Sequence, residues 1–393
     1  MMPPRPRVLV VAFQGGKQAD GGVESLTLIV ERMHAAKLTL VSQVESAKTA
    51  RWRQAGWKAE VWKLPYAPGA VSGWLRRVGG HFAWNLRVAW LAIDRQIDVV
   101  HVNDPHALWH VVFGLRLVGV PVVYNIRDTK PELSRGARTK WRCAFVLTQA
   151  QIVLSREMLV YWRRSLGIRG RSASFIYSVA DFARLRPLCG NARHERRCEL
   201  GLADHFTAGY VASFSEKKAQ LRFIEQAGPD LQRRAPGVRV IFLGDFDPIG
   251  DPYARACAEA VRRLGLEAQM IFRGYVAGVE RWYPALDVVV VATRNEGLAR
   301  CMLESLACGT AVISFDVCSA REILEEGDCG TVLAQGDYAG LVSTLIMYAE
   351  KSEAAARHAA RAVDVARSRF QAAQNIDAYA EIYRALSDGD RPQ

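Results

Sequence analysis

Short, mostly apolar runs recur along the first part of the chain, at 8–13, 38–41, 59–62, 98–102, 121–124, 151–154 and 174–177. Stretches of helical periodicity lie between them. A nearly continuous apolar run, not an alternating one, is what a strand buried on both faces requires, and such strands belong to parallel sheets. The rhythm stops over 187–204, a polar, Arg-rich segment with no strand candidate. It restarts at 208–213, 238–243, 268–272, 287–292, 311–315 and 331–334. Two βα series separated by a break predict an α/β protein with two doubly wound, Rossmann-like domains. We expect the first over 1–190 and the second over 191–370. A last helix near 371–386 carries Tyr379, Ile382 and Tyr383 at helical spacing, and 387–393 reads as a frayed tail.

Composition adds limits. A chain of 393 residues exceeds one ordinary core, in line with two domains. The opening Met-Met-Pro-Pro-Arg-Pro-Arg leads only into a short strand, so no secretory leader is expected. The most apolar window, 108–124, is broken by His110, Arg116 and Pro121 and reads as a helix feeding a strand. Eight cysteines without a C-x-x-C pair or a nearby His cluster point to reduced, mostly core thiols in a cytosolic protein, and no metal site is expected.

Charge changes the picture more. The formal net charge is +12, and residues 1–190 hold 28 Lys and Arg against 12 Asp and Glu, leaving 24 against 28 for the rest. The first half therefore meets something anionic. Arg76, Arg77 and Arg87 are interleaved with Trp74, Leu75, Phe82, Trp84 and Trp90, and Arg135, Arg138, Lys140 and Arg142 form a second cluster. Trp and Arg on one helix suit the headgroup boundary of an anionic membrane. The alternative is an ordinary helix that packs its aromatics inward. No nucleic-acid recognition module is visible, so a nucleic-acid partner is not expected.

Candidate chemistry clusters where strands run into helices, the place where open α/β sheets bind ligands. After the run DVVVVA at 287–292 comes Asn295-Glu296-Gly297-Leu298-Ala299, then a helix over 299–308 ended by Gly309, with Glu304 eight residues past Glu296. Two carboxylates so placed accept hydrogen bonds from hydroxyls, which suits sugar and ribose. A dipole-favoured Glu followed by a solvated one is the alternative. Gly15-Gly16-Lys17-Gln18-Ala19-Asp20-Gly21-Gly22-Val23-Glu24 follows the first strand, and a Gly-rich turn entering a helix offers free N–H groups to an anion. It lacks G-x-G-x-x-G, which disfavours a nicotinamide dinucleotide. Ser213 to Lys218 follow the first strand of the second series. Asn103, Asp104, His106 and Arg127 follow strands of the first series, and a turn capped by Asn-Asp-Pro explains the first three equally well.

The stretch 274–324 resembles the donor-site region of retaining GT-B glycosyltransferases of family 4, and weaker likeness extends over most of the chain. The resemblance implies a GT-B fold, two Rossmann-like domains facing a cleft, with the last helix (371–393) crossing back to the first domain. It implies a nucleotide-sugar donor, UDP- or GDP-linked, and no metal or further cofactor. Glu296 would touch the transferred sugar and Glu304 the ribose. Leu298 and Ala299 would offer backbone N–H groups, and the loop at Tyr275 would meet the base. Gly21 and Gly22 would contact donor or acceptor. Family members commonly hold the diphosphate with an Arg and a Lys five positions apart; this chain has Ser213 and Lys218, so Lys217 or an Arg of the first domain would have to compensate. A His is frequent where Arg127 stands, and an Arg, permanently charged, binds phosphate or acceptor and is no base. The implied activity is transfer of a sugar with retention of configuration, Glu296, Arg127 and Lys218 carrying it, to a glycan acceptor. The basic first domain points to a lipid-linked acceptor, as in polysaccharide or lipopolysaccharide synthesis, and to a cytoplasmic enzyme peripheral at the inner face of the membrane. A transferase acting on a soluble molecule and a non-catalytic nucleotide- or partner-binding relative are the alternatives.

Overall fold

Each of the thirteen apolar runs is a strand in the computed structural model, which describes residues 5–14, 21–64, 74–130, 133–167 and 173–389. The elements of the first series are β1 (Arg7–Val11), α1 (Gly21–Arg32), β2 (Lys37–Ser42), α2 (Ala47–Gln54), β3 (Lys58–Val61), α3 (Trp74–Asp94), β4 (Val99–Val102), α4 (Pro105–Leu117), β5 (Val122–Asn125), α5 (Arg135–Leu147), β6 (Ala150–Val153), α6 (Arg156–Leu166) and β7 (Ala173–Phe175). The second series runs α7 (Gly190–Leu200), β8 (Phe206–Val211), α8 (Gln220–Arg234), β9 (Val238–Leu243), α9 (Pro252–Arg263), β10 (Met270–Gly274), β11 (Val288–Val291), α10 (Arg300–Ala307), β12 (Ala311–Phe315), β13 (Gly330–Leu333), α11 (Tyr338–Glu350) and α12 (Ser352–Phe370). A last helix, α13 (Ala372–Ser387), ends the described chain.

Both sheets are parallel throughout. Their orders are β3-β2-β1-β4-β5-β6-β7 and β10-β9-β8-β11-β12-β13. Each order reverses direction beside its first strand, between β1 and β4 in one sheet and between β8 and β11 in the other. That reversal splays the connecting loops apart and leaves a crevice at the carboxyl ends of the strands. The fold is thus two Rossmann-like α/β domains, as the apolar pattern predicts.

The contacts divide the chain at Val179/Ala180, and the first unit regains it at Ala372. The Arg-rich segment 187–204, expected to mark the boundary, instead contains α7 and belongs to the second unit. Two of its arginines are internal anchors: Arg197 is buried and donates to the carbonyls of Ala285, Leu202 and His205 and to Asp287, which Arg193 also pairs with at 2.7 Å. A polar segment can thus look like a linker while its cations cap buried carbonyls.

Helix α13 packs on the first unit, as expected of a terminal helix that crosses back. Ile376, Tyr379, Ala380, Tyr383 and Leu386 share a core with Val8, Val10, Leu26 and Ile29. The burial of Ile376 and Leu386 stabilises this docking by about 1.5–3 kcal/mol each. The cysteines correct the expectation of a mostly core set. Cys257, Cys308 and Cys329 are buried, whereas Cys143, Cys189 and Cys198 are exposed; all eight are free thiols. Among the described residues no helix is long and apolar enough to cross a membrane.

Candidate active site

The crevice of the second sheet is built from the loops after β8 and β11, its two strands at the reversal. Sequence distance hides how tightly they are tied together. The Lys217 carbonyl accepts hydrogen bonds from the Arg294 N–H at 2.9 Å and the Thr293 hydroxyl at 2.9 Å. The Lys218 carbonyl accepts one from the Tyr210 hydroxyl. With its backbone pinned, Lys218 donates from Nζ to Glu296 Oε1, and Lys217 Nζ lies 3.7 Å from Oε2 of the same carboxylate. Ala219, which precedes α8 at φ 59°, is a non-glycine residue in the left-handed region, so the turn that presents the lysines is held by its surroundings.

Glu296 is 8% exposed. Burial alone would raise its carboxyl pKa; Lys218 and Lys217, with hydrogen bonds from Lys218 and Thr293, outweigh burial and hold it below the ordinary glutamate value. An ionised carboxylate accepts hydrogen bonds and donates none, so it can orient hydroxyl groups. Two lysines share one carboxylate, which leaves this cluster a formal charge of +1. Such a charge, at the reversal of a parallel sheet, suits an anionic ligand.

Glu304 stands on α10, which begins at Arg300, one residue later than expected. Its carboxylate takes 2.7 Å contact from Arg300 and a 2.8 Å hydrogen bond from the Tyr283 hydroxyl. The side chain keeps 13% of its surface accessible. Burial, followed by the charge of Glu304, pushes the Tyr283 hydroxyl well above its ordinary pKa, so Tyr283 stays a donor to this carboxylate. Neither Arg300 nor Tyr283 stands out in the sequence. Leu298 and Ala299 are buried ahead of α10, and Ser319, at φ 75°, donates to the Gly297 carbonyl at 2.5 Å to hold that turn. Ala299 caps α10 without a side-chain acceptor, and its carbonyl accepts from the Met302 N–H at 3.0 Å.

Ser213 is partly exposed, and its carbonyl accepts from Gln220. Beside it Gly244 passes so close that a Cβ there would stand 1.9 Å from the Ala212 oxygen, so only glycine fits at the end of β9. Gly244 in turn donates to the Gly274 carbonyl at 3.0 Å. Gly274, at φ 70°, turns the chain after β10 and leaves Tyr275 54% exposed on the same carboxyl edge of the sheet. Ser213, Lys218, Tyr275, Leu298, Ala299, Glu296 and Glu304 therefore all belong to loops or helix starts on one edge of one sheet.

The remaining expected residues belong to the first unit. Residues 15–20 of the Gly-rich turn lie outside the described residues; Gly21 and Gly22 open α1, and Glu24 pairs with Arg51 at 2.8 Å. Arg127, after β5, reaches Asn103 Oδ1 at 3.4 Å, and Asn125 links the same region to the Tyr379 hydroxyl of α13 at 3.0 Å. Asp104 takes the capping role: it accepts from the Ala107 N–H that starts α4 and from the Phe13 N–H at 2.9 Å. His106 is exposed on the first turn of α4.

Comparison with known proteins follows the same division. The model of glycosyl transferases group 1 matches residues 205–351, and that of glycosyltransferase family 4 matches residues 21–184. The putative glycosyltransferase EpsD of Bacillus subtilis is 26% identical over 64% of this chain and 64% of its own length. A lipopolysaccharide core biosynthesis mannosyltransferase of Rhizobium leguminosarum, LpcC, is 29% identical over 32% of this chain and 36% of its own length. The chain thus spans less than two thirds of the length of these two relatives. Among solved structures, Anabaena HepE in complex with UDP superposes with a TM-score of 0.80 at 22% identity, covering 96% of this chain and 100% of that one. In its fold and in both matched domains, this chain carries the architecture of a GT-B glycosyltransferase.

Proposed function

We propose that this chain transfers a sugar from a UDP- or GDP-linked donor to a growing, lipid-linked glycan, with retention of configuration and without a bound metal. It works in the cytoplasm, peripheral at the inner face of the membrane. The observation that carries the reading is the cluster of Lys217, Lys218 and Glu296 at the reversal of the second sheet. A departing nucleoside diphosphate gains negative charge as the sugar bond breaks, and fixed cations stabilise it there without waiting for solvent to reorganise. Ser213 contributes no charge, so Lys217 joins Lys218 in that role. Glu296, kept ionised by the lysines, orients hydroxyls of the transferred sugar. Glu304, oriented by Tyr283 and Arg300, accepts from the ribose, and Tyr275 offers its ring to the base. Arg127, on the acceptor side, binds an anionic group of the acceptor. The likeness to a UDP complex supports a nucleotide donor, and the name of the mannosyltransferase relative supports a lipopolysaccharide-type acceptor.

The test is release of UDP or GDP from a panel of nucleotide sugars in the presence of a membrane extract, compared with Lys218→Met. Extract-dependent release by wild type, lowered at least a hundredfold in the variant, is expected. Nucleotide binding without any release would overturn transfer in favour of a non-catalytic binding subunit, the reading that the uncharged Ser213 favours.

A further inference from the structure

Helix α3 breaks the rule that a surface helix turns its apolar side inward. Its inward face is apolar, with Trp84, Val88, Leu91 and Ala92 buried. Its outward face is apolar too. Val78 (47% exposed), Phe82 (66%), Leu86 (51%), Trp90 (63%) and Ile93 (64%) follow one another at steps of four, four, four and three, which keeps them on one side of the helix. The row spans about 22 Å at 1.5 Å per residue. Sequence left two options for this helix, aromatics inward or aromatics at a membrane. The structure divides them, with Trp84 in the core and Phe82 and Trp90 in the open.

The patch does not end with α3. The Asn85 side chain joins α3 to α4, its Oδ1 accepting from the Gly114 N–H at 2.8 Å and its amide donating to the Trp109 carbonyl, and a Cβ on Gly114 would stand 2.1 Å from the Asn85 backbone oxygen. So close an approach sets the two helices side by side, and α4 adds Phe113 (52% exposed) and Leu117 (84%). Helix α5 lies next to α4, with the Lys140 ammonium 5.6 Å from the Trp109 ring centroid. Charge around this surface is predominantly positive. The sequences of α3, α4 and α5 hold three, one and four Lys or Arg, against the single acidic Asp94 at the end of α3. Exposed Arg116, Arg135, Arg138 and Lys140 are among them.

From this face we infer a membrane-docking surface: the outer sides of α3 and α4 enter the interface of an anionic bilayer, and the cations of α4 and α5 meet lipid phosphates. Aromatic and aliphatic side chains enter the headgroup boundary, where Trp is favoured, while Lys and Arg stay at the anionic surface. Neither half suffices alone. Basic residues without the apolar row bind reversibly and lose hold in salt, and an apolar row without acidic relief from lipid has no preference for anionic vesicles. A protein partner that used the same face would need a matching acidic rim, whereas a bilayer containing anionic lipid supplies one everywhere. The inference rests on the peripheral-membrane part of the proposed function and is independent of the donor site.

Flotation of the full chain with vesicles tests it, using phosphatidylcholine alone and phosphatidylcholine with about a third phosphatidylglycerol. Wild type is expected to float with the mixed vesicles, at least tenfold more than with the neutral ones. Phe82→Ser/Trp90→Ser is expected to lose at least tenfold of that binding. Arg116→Glu/Arg138→Glu is expected to lose the preference for anionic lipid while keeping the apolar row. Melting of each variant checks that it folds, and a nucleotide-induced shift in the melt, retained by the variants, keeps a failure here apart from a failure of the donor site. Equal flotation of wild type and Phe82→Ser/Trp90→Ser would overturn the proposal. So would a wild-type dimer on size exclusion that the double substitution dissolves and that fails to float, since the face would then join two copies of the chain.

Discussion

Replacing Lys218 by Met removes the closest cation from a carboxylate that is 8% exposed. Breaking a fully buried ion pair costs about 3–5 kcal/mol, because the partner charge is stranded. Two features reduce that figure here. Lys217 remains 3.7 Å from the other oxygen, and the Lys218 side chain is 24% exposed. We expect Lys218→Met to lose about 2 kcal/mol of stability in urea unfolding at neutral pH. Glu296→Gln leaves two lysines near a neutral amide and loses less, while Glu296→Gln/Lys218→Met removes the charge conflict. A double-mutant cycle should therefore return a coupling of about 1–2 kcal/mol. The pH dependence follows from the lowered carboxyl: the contribution of Glu296 is present above its ordinary value of 4.5 and is lost as pH falls through the lower folded value. The gap between wild type and Glu296→Gln should narrow in that window. Additivity of the two single variants to within about 0.5 kcal/mol would mean that the two charges are not coupled, contrary to this expectation.

Three further outcomes follow from the same geometry. Gly244→Ala drives a methyl into the Ala212 oxygen and should cost about 1–3 kcal/mol in denaturant unfolding, with loss of any nucleotide-induced stabilisation because the Ser213 turn moves. Tyr283→Phe withdraws one donor from Glu304 and should weaken nucleotide binding roughly tenfold by calorimetry, the worth of a hydrogen bond to a charged group. His101, held neutral by burial and then by the charge of Arg127 with its pKa lowered to about 3, contributes stability above 6.5 that drains away as pH falls; His101→Gln should lower the pH of acid unfolding followed by circular dichroism.

What the sequence made legible follows from the physics of parallel sheets. A strand covered on both faces must be apolar at every position, so β11, the run Val288 to Val291, announces itself, and the order of runs gives the two-domain rhythm. The carboxyl-edge loops then follow, with Glu296, Lys218 and Glu304 placed by topology. Three things were not legible, each for its own reason. The pairing of Lys218 with Glu296 joins loops 78 residues apart and needs the strand order. The support of Glu304 by Tyr283 depends on a turn ahead of β11 that carries no periodic signal. The helix α7 hides in a segment whose composition reads as a linker, because its buried Arg197 answers carbonyls and not solvent. The helix α3 is an intermediate case: Trp interleaved with Arg leaves open whether the aromatics face inward or out, and the exposure of Trp90 beside the buried Trp84 shows that they do both.

A nucleotide site at the reversal of the second sheet is tested by thermal melting of wild type and Glu304→Ala with UDP, GDP and ADP at millimolar concentration. A ligand at about 100 times its dissociation constant adds about 2.7 kcal/mol, enough to move the melt by several degrees. UDP or GDP is expected to raise the melt of wild type by that amount and hardly to move that of Glu304→Ala. Absence of a shift with all three nucleotides, or an equal shift in the variant, would contradict a donor site on the second sheet.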